Sequence, residues 1–121
     1  MTVLLTMGDP VGIGPEIVAR AFAQGAVDAV VVGDAGVMRR AMALLKEPWP
    51  IARLDSPRDV RQCPPRCMPV WQPEGLPPEL DRLAWGRIFA SAGQAAAVCI
   101  EAAVRAVQRG EGSAIVTAPI H

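Results

Sequence analysis

The sequence has no net charge to offer a polyanion, no long apolar run and no even set of cysteines. Twelve lysines and arginines balance twelve aspartates and glutamates, so the electrostatic footprint that phosphate-backbone binding needs is missing and nucleic acid is excluded as a partner. The longest apolar runs, such as Ala95 to Ile100, fall far short of the roughly 18 residues of a membrane span. No basic residue precedes Arg20, so the charged start of a secretory signal is absent. Cys63, Cys67 and Cys99 are the three cysteines, and a disulfide framework wants pairs. The Cys63-Pro64-Pro65-Arg66-Cys67 spacing is at most half of a metal knuckle, because the single histidine is the last residue, His121. Cys63 and Cys67 are read as structural or incidental, and His121 as a solvent-exposed terminal residue rather than a ligand. The cytoplasm is the expected location.

What is present suits one globular domain: 121 residues, 51% hydrophobic and 20% charged. Proline is frequent, twelve in all, and nine of them crowd the stretch from Pro48 to Pro78. Proline lacks the ladder donor and pushes its predecessor out of the helical region. The stretch 48–78 is therefore expected to be irregular, with at most short edge strands near Ile51 to Leu54 and Met68 to Trp71. Val3-Leu4-Leu5 reads as a buried strand ended by Gly8-Asp9-Pro10. A helix is expected from Gly14-Pro15-Glu16 to about Gln24, since proline suits a first turn and Glu16 complements the helix dipole there. Ala29 to Val32 reads as a strand covered on both faces, and Gly33-Asp34 turns the chain into a second helix, 35–45.

The clearest helical pattern runs from Ala90 to Arg109. Gln94, Glu101, Arg105 and Gln108 fall on one face, with Glu101 and Arg105 a favourable i,i+4 pair. Ala92, Ala95, Ala96, Cys99, Ala103 and Ala106 form the apolar side. Gly110 and Gly112 close the helix, and Ala114 to Thr117 is the last strand. This alternation predicts an α/β fold, a mainly parallel sheet with flanking helices.

In such sheets ligands collect at the carboxyl ends of strands. Two segments lie there: Gly8 to Glu16 after the first strand, and Thr117-Ala118-Pro119-Ile120-His121 after the last. The first leads three glycines into a helix start, which lets backbone N–H groups face an anionic or nucleotide-containing ligand. It is neither a Walker loop nor a G-x-G-x-x-G fingerprint. From the glycines alone, a plain tight turn explains the loop as well as a binding site does, and Asp9 by itself reads as a turn former.

Thr6-Met7-Gly8-Asp9-Pro10-Val11-Gly12-Ile13-Gly14-Pro15-Glu16-Ile17 resembles the N-terminal signature of the 4-hydroxythreonine-4-phosphate dehydrogenase (PdxA) family of vitamin B6 (pyridoxine) biosynthesis. Gly86, Ser91, Gly93, Ala96, Ala102-Ala103 and Gly110, with Ala114-Ile115-Val116-Thr117-Ala118-Pro119-Ile120, resemble that family's helix and its V-T-A-P-I strand end. The resemblance implies a fold like that of isocitrate and isopropylmalate dehydrogenases. Gly12, Ile13 and Gly14 would then line the NAD or NADP cleft, with Ile13 in apolar contact and Asp9 shaping the loop. Thr117 and Pro119 would lie near the substrate. The implied oxidoreductase reaction converts the secondary alcohol of 4-phosphooxy-L-threonine to a β-keto acid that decarboxylates, with a divalent metal (zinc, magnesium or cobalt) polarising the reacting oxygen. It also implies a homodimer.

Family members are longer, and their metal and phosphate ligands follow the V-T-A-P-I segment. The expectation is therefore that residues 1–121 are the N-terminal portion of the dehydrogenase domain, itself inactive, with no metal ligand or catalytic residue assignable and a sheet left with an unpaired apolar edge. Alternatives are a relative acting on a four-carbon sugar-acid phosphate or an aromatic dihydrodiol, a non-catalytic nucleotide- or anion-binding module, and a domain whose glycine loop is only a turn.

Overall fold

The structure is a computed structural model that describes residues 2–25 and 28–120. Five strands form one sheet in the order β3-β4-β2-β1-β5, every neighbouring pair parallel. The strands are β1 (Val3–Thr6), β2 (Ala29–Val32), β3 (Ile51–Leu54), β4 (Met68–Trp71) and β5 (Ala114–Thr117), and the helices are α1 (Gly14–Ala23), α2 (Ala35–Met42) and α3 (Ala90–Gln108). Short 3₁₀ turns at Pro57–Gln62 and Leu80–Arg82 fill the connections. The predicted α/β class and all five strands are therefore present. No helix among the described residues is long and apolar enough to cross a membrane.

The central strands owe their position to composition. Leu4, Val30, Val31, Val32, Met68 and Val70 are wholly buried, as continuous apolar strands covered on both faces must be. α1 packs against α2, which lies over β3 and β4, while α3 packs on β1, β2 and β5. Because parallel crossovers are right-handed, reversing direction across the sheet moves the crossover helix to the other face. β1 to β2 runs one way and β4 to β5 the other, so α3 covers the face opposite α1 and α2. The point of reversal is β1, and the carboxyl ends of β1 and β5 open there side by side.

α3 follows its sequence pattern residue for residue. Ala92, Ala95, Ala96, Cys99, Ala103 and Ala106 are its buried positions, and Gln94, Glu101, Arg105 and Gln108 are exposed. Its end is a Schellman turn: Gly110 N–H donates to the Val107 carbonyl at 3.0 Å and Glu111 N–H to the Ala106 carbonyl at 2.8 Å, with Gly110 at φ +80°. The expected Glu101–Arg105 ion pair is absent from those formed among the described residues. Two exposed long side chains lose rotamer freedom on pairing and gain little in water. α2 stops at Met42, short of Leu45, as Leu44 and Leu45 tighten into three-residue turns ahead of Pro48.

The proline-rich stretch departs most from expectation. β4 is not an edge strand: it lies between β3 and β2 with all four residues buried. Pro69 is tolerated because pairing to β2 begins only at Val70, opposite Val31, so the missing donor costs no bond on that side. The edges are β3 and β5. β5 is the exposed one, with Ala114, Val116 and Thr117 open to solvent and Val116 at 51% exposure, which matches the expected apolar edge.

Candidate functional site

The loop after β1 is held by its own backbone and by β5. Met7 N–H donates to the Val32 carbonyl at 3.1 Å, and the Met7 sulfur accepts from Asp34 N–H at 3.3 Å, seating the loop on β2. Gly8 takes φ +73°, and a Cβ there would press into the carbonyl groups of Pro119 and Ala118. Asp9 N–H donates to the Pro119 carbonyl at 3.1 Å, while the Asp9 carboxylate accepts from Val11 N–H at 3.0 Å and its carbonyl from Gly12 N–H at 3.1 Å. Asp9 is thus an Asx-type turn former. Gly14 opens α1 because a Cβ would collide with the Met7 carbonyl.

Gly12 and Ile13 are not pinned against backbone in this way. Gly12 is half-buried with an ordinary φ, and its nearest neighbour is the Asp9 side chain. Ile13 is 66% exposed, an apolar side chain presented to solvent at the start of α1. Among the described residues no side chain caps α1 at Ile13 or α3 at Phe89, so none of them offers a side-chain acceptor to the first-turn N–H groups of either helix. Glu16, in the first turn of α1, is engaged by Arg20 at 3.0 Å.

The second motif joins the first. Ala118 N–H donates to the Thr6 carbonyl at 3.1 Å, extending the β1–β5 ladder beyond the Thr6–Thr117 pair, and the next peptide supplies the Pro119 carbonyl that Asp9 uses. Asp9, Gly12, Ile13, Gly14, Thr117 and Pro119 therefore occupy one end of the sheet at the topological switch point. Thr117 and Pro119 are exposed and line neither hollow beside the loop. Thr6 Oγ1 is buried without a hydrogen-bond partner among the described residues.

Two hollows flank the loop. One, of about 70 Å³, lies between Asp9, Ile120 and the start of α3 at Phe89, Ala92 and Gly93. The other, about 360 Å³ and open, is lined by Val11, Gly12, Ile13, Glu16, Leu44, Trp85 and Gly86. Trp85 was not picked out from the sequence, because the segment around 79–89 shows no periodicity, and Leu44 was read only as part of the helix 35–45. Gly86 N–H donates to the Val11 carbonyl at 2.8 Å. Arg40 Nη1 donates to the Asp81 and Leu83 carbonyls, both at 2.7 Å, and its guanidinium lies 3.9 Å from the Trp85 ring centroid. Burial lowers the Arg40 pKa while Asp81 opposes the shift, and the group stays a cation. A larger hollow of about 680 Å³, between the ends of α1 and α2 beside Trp49, includes no strand carboxyl end and no glycine loop.

This arrangement suits binding more than proton transfer. Of its two carboxylates, Asp9 is committed to a turn and Glu16 to Arg20. Among the described residues no three His, Cys, Asp or Glu side chains converge, so they make no metal centre. The reading of His121 as solvent-exposed falls outside the described residues.

Comparison with known proteins adds an independent finding. Residues 26–121 match the family model described as pyridoxal phosphate biosynthetic protein PdxA. D-threonate 4-phosphate dehydrogenase of Pectobacterium atrosepticum is 37% identical, over 98% of this chain and 37% of its own length. 4-Hydroxythreonine-4-phosphate dehydrogenase of Desulfosudis oleivorans is 36% identical, over 97% of this chain and 35% of its own. The crystal structure of a 4-hydroxythreonine-4-phosphate dehydrogenase from Burkholderia phymatum superposes with a TM-score of 0.89 at 32% identity, covering 99% of this chain and 36% of that one. The chain thus spans little more than a third of the length of these relatives.

Proposed function

Since the chain belongs to the PdxA family, we propose that it forms the N-terminal, cofactor-facing portion of an NAD- or NADP-dependent dehydrogenase acting on a phosphorylated four-carbon hydroxy acid. The observation that carries this reading is the clasp between the glycine loop and the Thr117-Ala118-Pro119 segment at the switch point of a parallel sheet. Asp9, Gly12, Ile13 and Gly14 would hold the NAD or NADP, which would supply a hydride acceptor for the substrate's secondary alcohol. Gly12 leaves room for close backbone approach, exposed Ile13 offers an apolar contact, and Asp9 holds the loop in shape. Thr117 and Pro119, at the tip of β5, face the substrate side of the same cleft.

Oxidation of a hydroxyl β to a carboxylate gives a β-keto acid that loses carbon dioxide when the developing enolate is stabilised. The described residues do not fit a divalent metal; zinc, magnesium or cobalt, which would supply such stabilisation, is proposed to be held elsewhere in the enzyme. The working enzyme is proposed as a cytoplasmic homodimer. Two substrates are in contention, 4-phosphooxy-L-threonine of the pyridoxal phosphate pathway and D-threonate 4-phosphate, because relatives carrying each name are similarly identical to this chain.

A chimera tests the proposal: residues 2–120 replace the matching portion of the Pectobacterium atrosepticum relative, and NADH absorbance is followed with either cofactor, a divalent metal and each substrate. Turnover with D-threonate 4-phosphate or with 4-phosphooxy-L-threonine is expected. A chimera that folds, by circular dichroism, yet reduces neither cofactor with either substrate contradicts the assignment.

A further inference from the structure

Cys63 and Cys67 lie far along the chain from the cleft, in the connection between the Pro57–Gln62 turn and β4. Cys63 ends that turn, its N–H donating to the Val60 carbonyl at 3.0 Å. Pro64 and Pro65 fix the next two φ angles, and Arg66 adopts the left-handed region at φ +59°. The backbone is thereby folded back on itself. Cys63 Sγ sits 3.5 Å from the Cys67 carbonyl and 3.6 Å from that of Pro64, so its thiol is folded back onto the Cys67 backbone. Both are free and partly exposed, unlike Cys99, which is on the buried face of α3. They open on a hollow of about 440 Å³ walled by Phe22, Trp49, Val60 and Pro69. Among the described residues no third ligand joins them to make a metal cluster.

We propose that Cys63 and Cys67 form a reversible dithiol–disulfide pair, closed by small disulfides of the glutathione class. The Cys67 sulfur gives its proton to water and attacks one sulfur of the small disulfide, whose S–S bond breaks and releases one small thiol. The Cys63 sulfur, deprotonated in turn, attacks the Cys67 sulfur and expels the second small thiol. Two protein thiols are oxidised and one small disulfide is reduced to two thiols, so atoms and electrons balance. Burial, reinforced by neighbouring Cys67, pushes Cys63 up to about 11. Cys63 is therefore a protonated thiol at neutral pH, and closure through its sulfur becomes faster as pH rises. The rigid Pro64-Pro65 segment keeps the resolving sulfur close, so little chain entropy is lost on closure.

The test is mass spectrometry of the folded protein exposed to oxidised glutathione. The expected result is a loss of about 2 Da that dithiothreitol reverses. Trypsin, cutting after Arg61, Arg66 and Arg82, should then leave peptides 62–66 and 67–82 joined. In Cys63→Ser a glutathione adduct of roughly 305 Da should persist on Cys67, since nothing resolves it. A Cys99→Ser control, checked by thermal melting, should close as the parent does. Persistent adducts on the parent without the 2 Da loss, or closure seen only after unfolding in urea, overturn the proposal.

Discussion

Gly8 and Ile13 belong to one loop yet answer to different constraints. At Gly8 a left-handed φ coincides with carbonyl groups where a Cβ would stand, so Gly8→Ala should cost at least about 2 kcal/mol in chemical denaturation. At Ile13 the side chain is in solvent and packing asks nothing of it. The glycine spacing alone did not separate these cases, since glycine marks both a tight turn and a close approach to ligand. Packing does separate them: a Cβ at Gly8 or Gly14 would meet backbone carbonyl groups, whereas one at Gly12 would meet only the Asp9 side chain and Ile13 stands in solvent. Cys99 offers a second test at this scale. Burial and the Asp34 charge push it up to about 12 from an ordinary 9.0. Above pH 9 the unfolded chain releases this proton and the folded one keeps it, so stability falls as pH rises towards 12, by up to about 1.4 kcal/mol per pH unit. Urea titrations at pH 8 to 10.5 should show the parent losing stability faster than Cys99→Ala. Equal slopes would place Cys99 in a wetter site.

At the scale of elements, Arg40 on α2 ties down the segment that forms one wall of the larger hollow beside the loop. Two charge-assisted hydrogen bonds and the contact with Trp85 together predict a loss of about 2 kcal/mol for Arg40→Ala. The same variant should show faster amide exchange at 80–86, read by mass spectrometry, with Arg40→Lys intermediate; unchanged exchange would refute the tie. None of this was legible in the sequence, because the contact spans α2 and a segment without periodicity. α3 was legible to the residue, since an alternation of alanine and polar positions at helical spacing has one solution against a sheet. β4 was legible as a strand but not as an interior one. Proline argues for an edge, and only the register shows Pro69 stepping clear of the β2 ladder. Asp34, which accepts from Val37 N–H at 2.8 Å to cap α2, was legible as a turn residue before a helix.

At the scale of the whole molecule, the site is a product of topology. Residues 6–17 and 117–120 are far apart in sequence and meet because β5 returns to lie against β1 on the side away from β2. Length and composition alone suit a single globular domain. The β5 edge is exposed, and the chain spans little more than a third of the length of its dehydrogenase relatives. The carboxyl ends of β1 and β5 then read as one wall of a cleft. The central claim, that this wall faces the dinucleotide, is tested most directly by the KM for NAD of the chimera carrying Ile13→Asp. A charge at this exposed position leaves the core intact, so the melting temperature and the substrate KM should hold while the KM for NAD rises about tenfold, roughly 1.4 kcal/mol of lost binding. An unchanged KM for NAD in a folded, active Ile13→Asp chimera would contradict it.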